Sequence, residues 1–196
     1  MPLWWCSVSV GDVGCWAMNP TILKSVVPLV CVIWCMLPDP ATAEVALNTE
    51  IFNEIAERLP DFNRRHRLEP TPFTGGPEHR FGRFEPEHGL MEHWGSALRV
   101  RWSLKVLHFA DGRSLIIYQY ISVFPDSSAT PATDTTVRQW FFERSIEGHY
   151  AEIELDRLTE LSPVIFRFHP NGSMSMMDDS LVFKECRWNG TRLVEE

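Results

Sequence analysis

Between Ala97 and Phe124 apolar and polar residues alternate with a period of two. Val100, Trp102, Leu104 and Val106 interleave with Arg99, Arg101, Ser103 and Lys105, the pattern of a strand with one buried face. A second apolar run follows Asp111-Gly112, a dipeptide that predicts a two-residue hairpin turn because both central positions need positive φ. Such a turn pairs Val106 with Ile117, Leu104 with Gln119, Trp102 with Ile121 and Val100 with Val123. One face is then apolar except for Gln119, and His108 continues it toward the turn. Lys105, Tyr118, Ser103, Tyr120 and Arg101 fall on the opposite face, which is expected to meet water.

The same reading extends along the chain. Asn48 or Thr49 is placed to cap a helix, and Ile51, Phe52, Ile55, Ala56 and Leu59 recur at helical spacing until Pro60. Residues 69–89 are broken by proline and glycine, leaving only Arg80 to Glu85 as a strand. A polar loop is expected over Pro125 to Thr136. Val137 to Ser145 and His149 to Leu155 make a second hairpin, for which a four-residue loop from Ser145 to Gly148 avoids opposing Glu143 and Glu152. A two-residue and a four-residue loop alike group Trp140 and Phe142 with Ala151, Ile153 and Leu155. Pro163 to His169 is a further strand, and a three-residue loop Pro170-Asn171-Gly172 carries its Phe166 and Phe168 face into Met174 and Met176. Strands from Leu181 to Trp188 and after Asn189-Gly190 complete the chain. Roughly eight to ten short strands joined by tight turns, after one short helix, predict a mainly β fold, an antiparallel up-and-down meander closing into a barrel.

The beginning of the sequence adds a different kind of segment. After Lys24, Val26 to Leu37 is almost wholly apolar, and Ala41-Thr42-Ala43 supplies a small-x-small cleavage site. This predicts a leader over 1–43 containing a secretory signal peptide, with Met18 as an alternative start, and a single domain over 44–196. The apolar run is well short of the ~20 residues of a membrane-spanning helix, so membrane contact is expected only through the leader, and the protein is read as exported, periplasmic or extracellular. Cleavage removes Cys6, Cys15, Cys31 and Cys35, leaves Cys186 alone and rules out an internal disulfide. A net charge of −8 argues against nucleic acid as a partner. The basic cluster Arg64-Arg65-His66-Arg67 reads as a solvated helix end, with a site for an anionic partner as the alternative.

Specific catalytic motifs are missing: there is no phosphate-binding glycine loop, no Gly-x-Ser-x-Gly, no His-Glu-x-x-His and no Cys-x-x-Cys after the leader. Glu87-His88 and Glu92-His93 converge on one metal ion only if the chain bends between them, so neither a metal nor another cofactor is expected. Asn171-Gly172-Ser173 and Asn189-Gly190-Thr191 match the glycosylation pattern but coincide with turns, which want Asn-Gly for their own geometry.

Arg138-x-Trp140 followed by Gly148-x-Tyr150, with the Asp-Gly hairpin upstream, resembles the pattern of lipocalin-like bacterial β-barrels. The resemblance spans about residues 79–187 and implies a cup for a small apolar molecule. The candidate ligand-binding residues are Trp102, Leu104, His108, Gln119, Ile121, Trp140, Phe142 and Phe166. Two alternatives stand beside this reading. One is a filled core that presents Tyr118, Tyr120 and Phe141 to a protein partner; the other is an enzyme using His108 as acid or base.

Overall fold

The computed structural model describes residues 39–68, 83–95, 100–124 and 134–196. Residues 1–38, Arg80-Phe81-Gly82 and most of the 125–136 loop lie outside the described residues. The architecture below is that of the unit from Ala43 to Glu196.

Helix α1 runs from Pro40 to Arg65, through Pro60 rather than ending before it. Proline removes one backbone donor, yet the helix continues because its next turn docks: Phe62 and Asn63 are buried along with Ile51, Phe52, Ile55, Ala56 and Leu59. Asn48, expected as a cap, instead lies inside the helix at the start of this buried stripe. The helix stops at Arg67, whose φ is +55°. Leu68 N–H donates to Asn63 C=O at 2.8 Å and Arg67 N–H to Arg64 C=O at 3.3 Å, the bonding of a Schellman end, and Leu68 is buried to anchor it.

Among the described residues ten strands follow: β1 (Arg83–Glu85), β2 (Leu90–Gly95), β3 (Val100–His108), β4 (Ser114–Phe124), β5 (Asp134–Arg144), β6 (Tyr150–Ile153), β7 (Ile165–Phe168), β8 (Met174–Met177), β9 (Phe183–Trp188) and β10 (Leu193–Glu195). They form two antiparallel sheets, a six-stranded meander ordered β1 to β6 and a four-stranded one ordered β10-β9-β8-β7. Among the described residues the two ladders are separate.

The register of the first hairpin corrects the expected one. Leu104 pairs with Tyr118, Trp102 with Tyr120 and Val106 with Ile116. The loop has three residues, Ala110-Asp111-Gly112: Phe109 N–H bonds Arg113 C=O at 2.9 Å, Gly112 N–H bonds Phe109 C=O at 3.1 Å, and Gly112 has φ +91°. Since side chains alternate, this one-residue shift moves all of β4 to the other face relative to β3. Trp102 and Gln119 therefore lie on opposite faces.

The second hairpin repeats the device. Ser145 N–H bonds His149 C=O at 2.8 Å around Ile146-Glu147-Gly148, with Gly148 at φ +82°. Arg144 then pairs with Tyr150 and Phe142 with Glu152, while Phe141 pairs with Ile153. This corrects the four-residue loop and its grouping of side chains. The loop at Pro170-Asn171-Gly172 has the expected form, with Phe168 opposite Met174 and Phe166 opposite Met176. Both Asn-Gly-Ser/Thr sequences are turns in which the asparagine Oδ1 accepts backbone N–H groups, from Ser173 at 3.1 Å and from Thr191 at 3.0 Å.

Both faces of the six-stranded sheet are buried, so the water-facing side expected for β3 and β4 is a second correction. On one face Trp102, Leu104, Val106, Ile116, Tyr118 and Tyr120 pack beneath α1. On the other, Leu90, Leu115, Ile117 and Phe141 pack against Phe166, Phe168, Met174, Met176, Cys186 and Leu193 of the smaller sheet. The polar residues on that second face are buried too: Lys105 is 4% exposed, Ser103 1% and Gln119 0%. Each needs a partner inside the protein.

Candidate functional site

The register separates the eight candidate ligand-binding residues into two groups. Trp102, Leu104, His108, Trp140 and Phe142 lie on the α1 face, and Gln119, Ile121 and Phe166 lie between the sheets. Gln119 does not face an opening. Its side-chain amide donates to Phe166 C=O at 3.0 Å and its oxygen accepts from Phe166 N–H at 2.7 Å, so it pairs with the outer edge of β7 as a neighbouring strand would. Gln139, beside it on β5, donates to Pro163 C=O at 3.1 Å and Val164 C=O at 2.7 Å. Two amides thus fasten the edge of one sheet to the face of the other.

His108 is likewise engaged at both ring nitrogens. Asn48 Nδ2 donates to Pro86 C=O at 2.6 Å, leaving Asn48 Oδ1 to accept from His108 Nε2 at 2.8 Å. The proton therefore sits on Nε2, and Nδ1 accepts from Ser114 Oγ at 3.0 Å. Desolvation holds the His108 pKa below its ordinary value. A neutral ring with both nitrogens occupied ties α1 to β3 and β4 and has no free lone pair for an acid–base step. Tyr118, Tyr120 and Phe141, expected as an outer binding face, are buried, which corrects that placement.

An opening does exist under the helix. A cleft of about 280 Å³ lies between α1 and strands β3–β6, lined by Ile55, Leu59, Phe62, Leu104, Tyr118, Phe142 and Tyr150, with Arg58, Arg65, His66 and Glu152 also on its walls. Of the sequence candidates it contains Leu104 and Phe142. Phe62 organises the aromatic wall, meeting Trp140 at 5.0 Å, Phe142 at 5.4 Å and Tyr118 at 5.6 Å, each edge to face. Tyr118 donates its hydroxyl to Asn63 Oδ1 at 2.9 Å, and burial raises its pKa, so it stays a neutral phenol.

A charged cluster holds one end of the cleft. Arg144, buried on β5, donates through Nε to Glu54 at 3.0 Å and through Nη2 to Glu50 at 2.8 Å, while Tyr150 donates its hydroxyl to Glu54 at 2.6 Å. The Arg144 hydrogen bond holds the Glu54 carboxyl below its usual range, against some desolvation. Arg58 lies 4.7 Å over the Tyr150 ring. Among the described residues neither Arg58 nor Arg65 has a carboxylate within ion-pair distance. Arg65 and His66 belong to the basic cluster seen in the sequence; what placed them at a cleft is the helix running past Pro60.

Of the two Glu-His pairs, His93 sits beside Trp102, ring centroids 5.7 Å apart, whereas His88 lies in a turn between β1 and β2. Among the described residues no three His, Cys, Asp or Glu side chains gather as metal ligands, and no helix is long and apolar enough to cross a membrane. Cys186 is buried and its thiol is pushed up to about 12 by desolvation, so it packs as an apolar residue. No family model, curated protein or solved structure matches this chain.

Proposed function

We propose that this is an exported binding protein that holds a small apolar molecule bearing an acid group in the cleft between α1 and the six-stranded sheet. The observation that carries the reading is the juxtaposition of an aromatic wall, Phe62, Tyr118, Phe142 and Tyr150, with Arg58 and Arg65, which among the described residues have no carboxylate within ion-pair distance, Arg58 acting on Glu54 only through its charge at longer range. Apolar walls with a few placed charges are the usual make-up of a small-molecule site. Glu152 is the acid on the opposing wall, and it is outnumbered by Arg58 and Arg65. In this reading the two sheets are the walls of a flattened barrel, closed by side-chain packing, and the lipocalin-like kinship rests on Arg138-x-Trp140 and Gly148-x-Tyr150. Export rests on Val26 to Leu37 and the Ala41-Thr42-Ala43 site.

Titration with 1-anilinonaphthalene-8-sulfonate, an aromatic anion, tests the proposal. Saturable binding is expected, weakened roughly tenfold, or about 1.4 kcal/mol, by Arg65→Glu. Arg65 is exposed and its side chain makes no hydrogen bond among the described residues, so an unchanged affinity in that variant overturns the assignment. A second reading, a protein-interaction module, is favoured by Leu181 and Val182, which are 74% and 57% exposed. Leu181 is held at φ +60°, a costly conformation for a branched residue, in a loop braced by Ser180 N–H donating to Asp178 at 2.9 Å.

A further inference from the structure

A second cleft, of about 480 Å³, shares no lining residue with the first and opens beside the β3–β4 hairpin, where the β7–β8 loop and β9 meet β3. Its floor includes Val106, Leu107, Met174 and Trp188, and Lys105 lines it. Lys105 is an anomaly in the fold. It is a lysine on a face packed between two sheets, 4% exposed, and among the described residues no carboxylate lies within ion-pair distance of it. Its amine donates instead to two backbone carbonyls, those of His88 and, at 3.5 Å, Gly172.

We infer that Lys105 is a covalent docking point for an apolar aldehyde, held as an imine in this second cleft. A neutral amine has two N–H groups and one lone pair. Two carbonyls take the two N–H groups and leave the lone pair for a carbonyl carbon. Desolvation favours this form, bringing the Lys105 pKa down to about 8 despite the opposing effect of Glu44 and Glu85. The amine nitrogen attacks the aldehyde carbon, a C–N bond forms, and the aldehyde oxygen leaves as water with the two amine hydrogens. When the imine is protonated its single N–H keeps the bond to His88 C=O and releases the longer one to Gly172. The apolar floor takes the tail of the aldehyde, and the rim acids Glu44, Glu87 and Glu196 disfavour an anionic one. The imidazole of His88 also lines the cleft and makes no hydrogen bond among the described residues; the proton that the departing water needs comes from solvent.

The chain contains three lysines, Lys24, Lys105 and Lys184. Lys184 is a built-in reference, since Asp178 at 3.2 Å and Glu195 at 3.6 Å keep it an ammonium. The folded protein is incubated with hexanal and sodium cyanoborohydride at pH 8, and the secondary amines formed are located by peptide mass mapping. The expected result is a hexyl adduct on Lys105 forming at least about tenfold faster than on Lys184, with that preference lost when the same mixture is made in urea. Equal or faster labelling of Lys184 in the folded protein, or labelling of Lys105 only after unfolding, overturns the proposal. The experiment involves no residue of the cleft under α1, so its outcome is separate from that of the dye titration.

Discussion

Gln119, His108 and Arg144 act as connectors between elements, and their geometry sets what each substitution should do. Gln119 satisfies both the N–H and the C=O of Phe166 from a position with no solvent exposure. Gln119→Leu leaves two buried backbone groups unpaired, and the expected loss is about 2–4 kcal/mol. Urea denaturation measures it as a lower midpoint at unchanged slope. His108 gives a pH-dependent counterpart. Its folded pKa lies below the ordinary 6.5, so the unfolded chain takes up that proton first. The contribution of His108 to stability is complete above about pH 6.5 and is lost as pH falls toward the lowered folded value. Thermal melts between pH 7.5 and 5 should show this decline, and His108→Gln should flatten it. Glu54 acts in a separate window: its pKa is lowered from 4.5, so its share is present above that pH and disappears as pH falls through the lowered value.

At the level of elements, three hairpins share one loop form, with glycine at the third position and φ between +82° and +91°. The third was legible from Pro170-Asn171-Gly172. The first was not, because Asp111-Gly112 satisfies a two-residue turn equally well and the choice rests on whether Ala110 joins the loop or the strand. A one-residue difference reverses a face, so the strands of the first hairpin were recognisable and their facing sides were not. A clue to two-sided burial was present in the unbroken apolar run Leu115-Ile116-Ile117-Tyr118, which a half-solvated strand would not need. Glycines also differ in what they tolerate. An added Cβ at Gly89, with φ +54°, would stand 2.5 Å from the Val106 carbonyl oxygen, whereas at Gly112 it would meet only the Ile146 side chain at 3.7 Å. Gly89→Ala is therefore expected to cost more than ~2 kcal/mol and Gly112→Ala about 1 kcal/mol, compared by thermal denaturation. Arg144→Met tests the helix-to-sheet tie. Its partners Glu50 and Glu54 are 59% and 32% exposed, so water moderates the loss to about 1–2 kcal/mol.

In the unit from Ala43 to Glu196 the six-stranded sheet is a middle layer, with α1 on one face and the four-stranded sheet on the other. The stripe from Ile51 to Leu59 announced a helix that must be buried, and the strand count was readable from turn residues. Which face the helix covers depended on the hairpin register, so the cleft under α1 could not be drawn from sequence even though Leu104 and Phe142 line it. Phe141, Phe166 and Phe168 between the sheets are packed core, and Phe62, Tyr118, Phe142 and Tyr150 under α1 border an opening. The sharpest test is therefore where an aromatic anion makes its contacts. With isotope-labelled protein and bound 1-anilinonaphthalene-8-sulfonate, intermolecular nuclear Overhauser effects should connect the dye to the rings of Phe62, Phe142 and Tyr150. Contacts to Phe166, Phe168 or Met176 instead would put the ligand between the sheets and contradict the account.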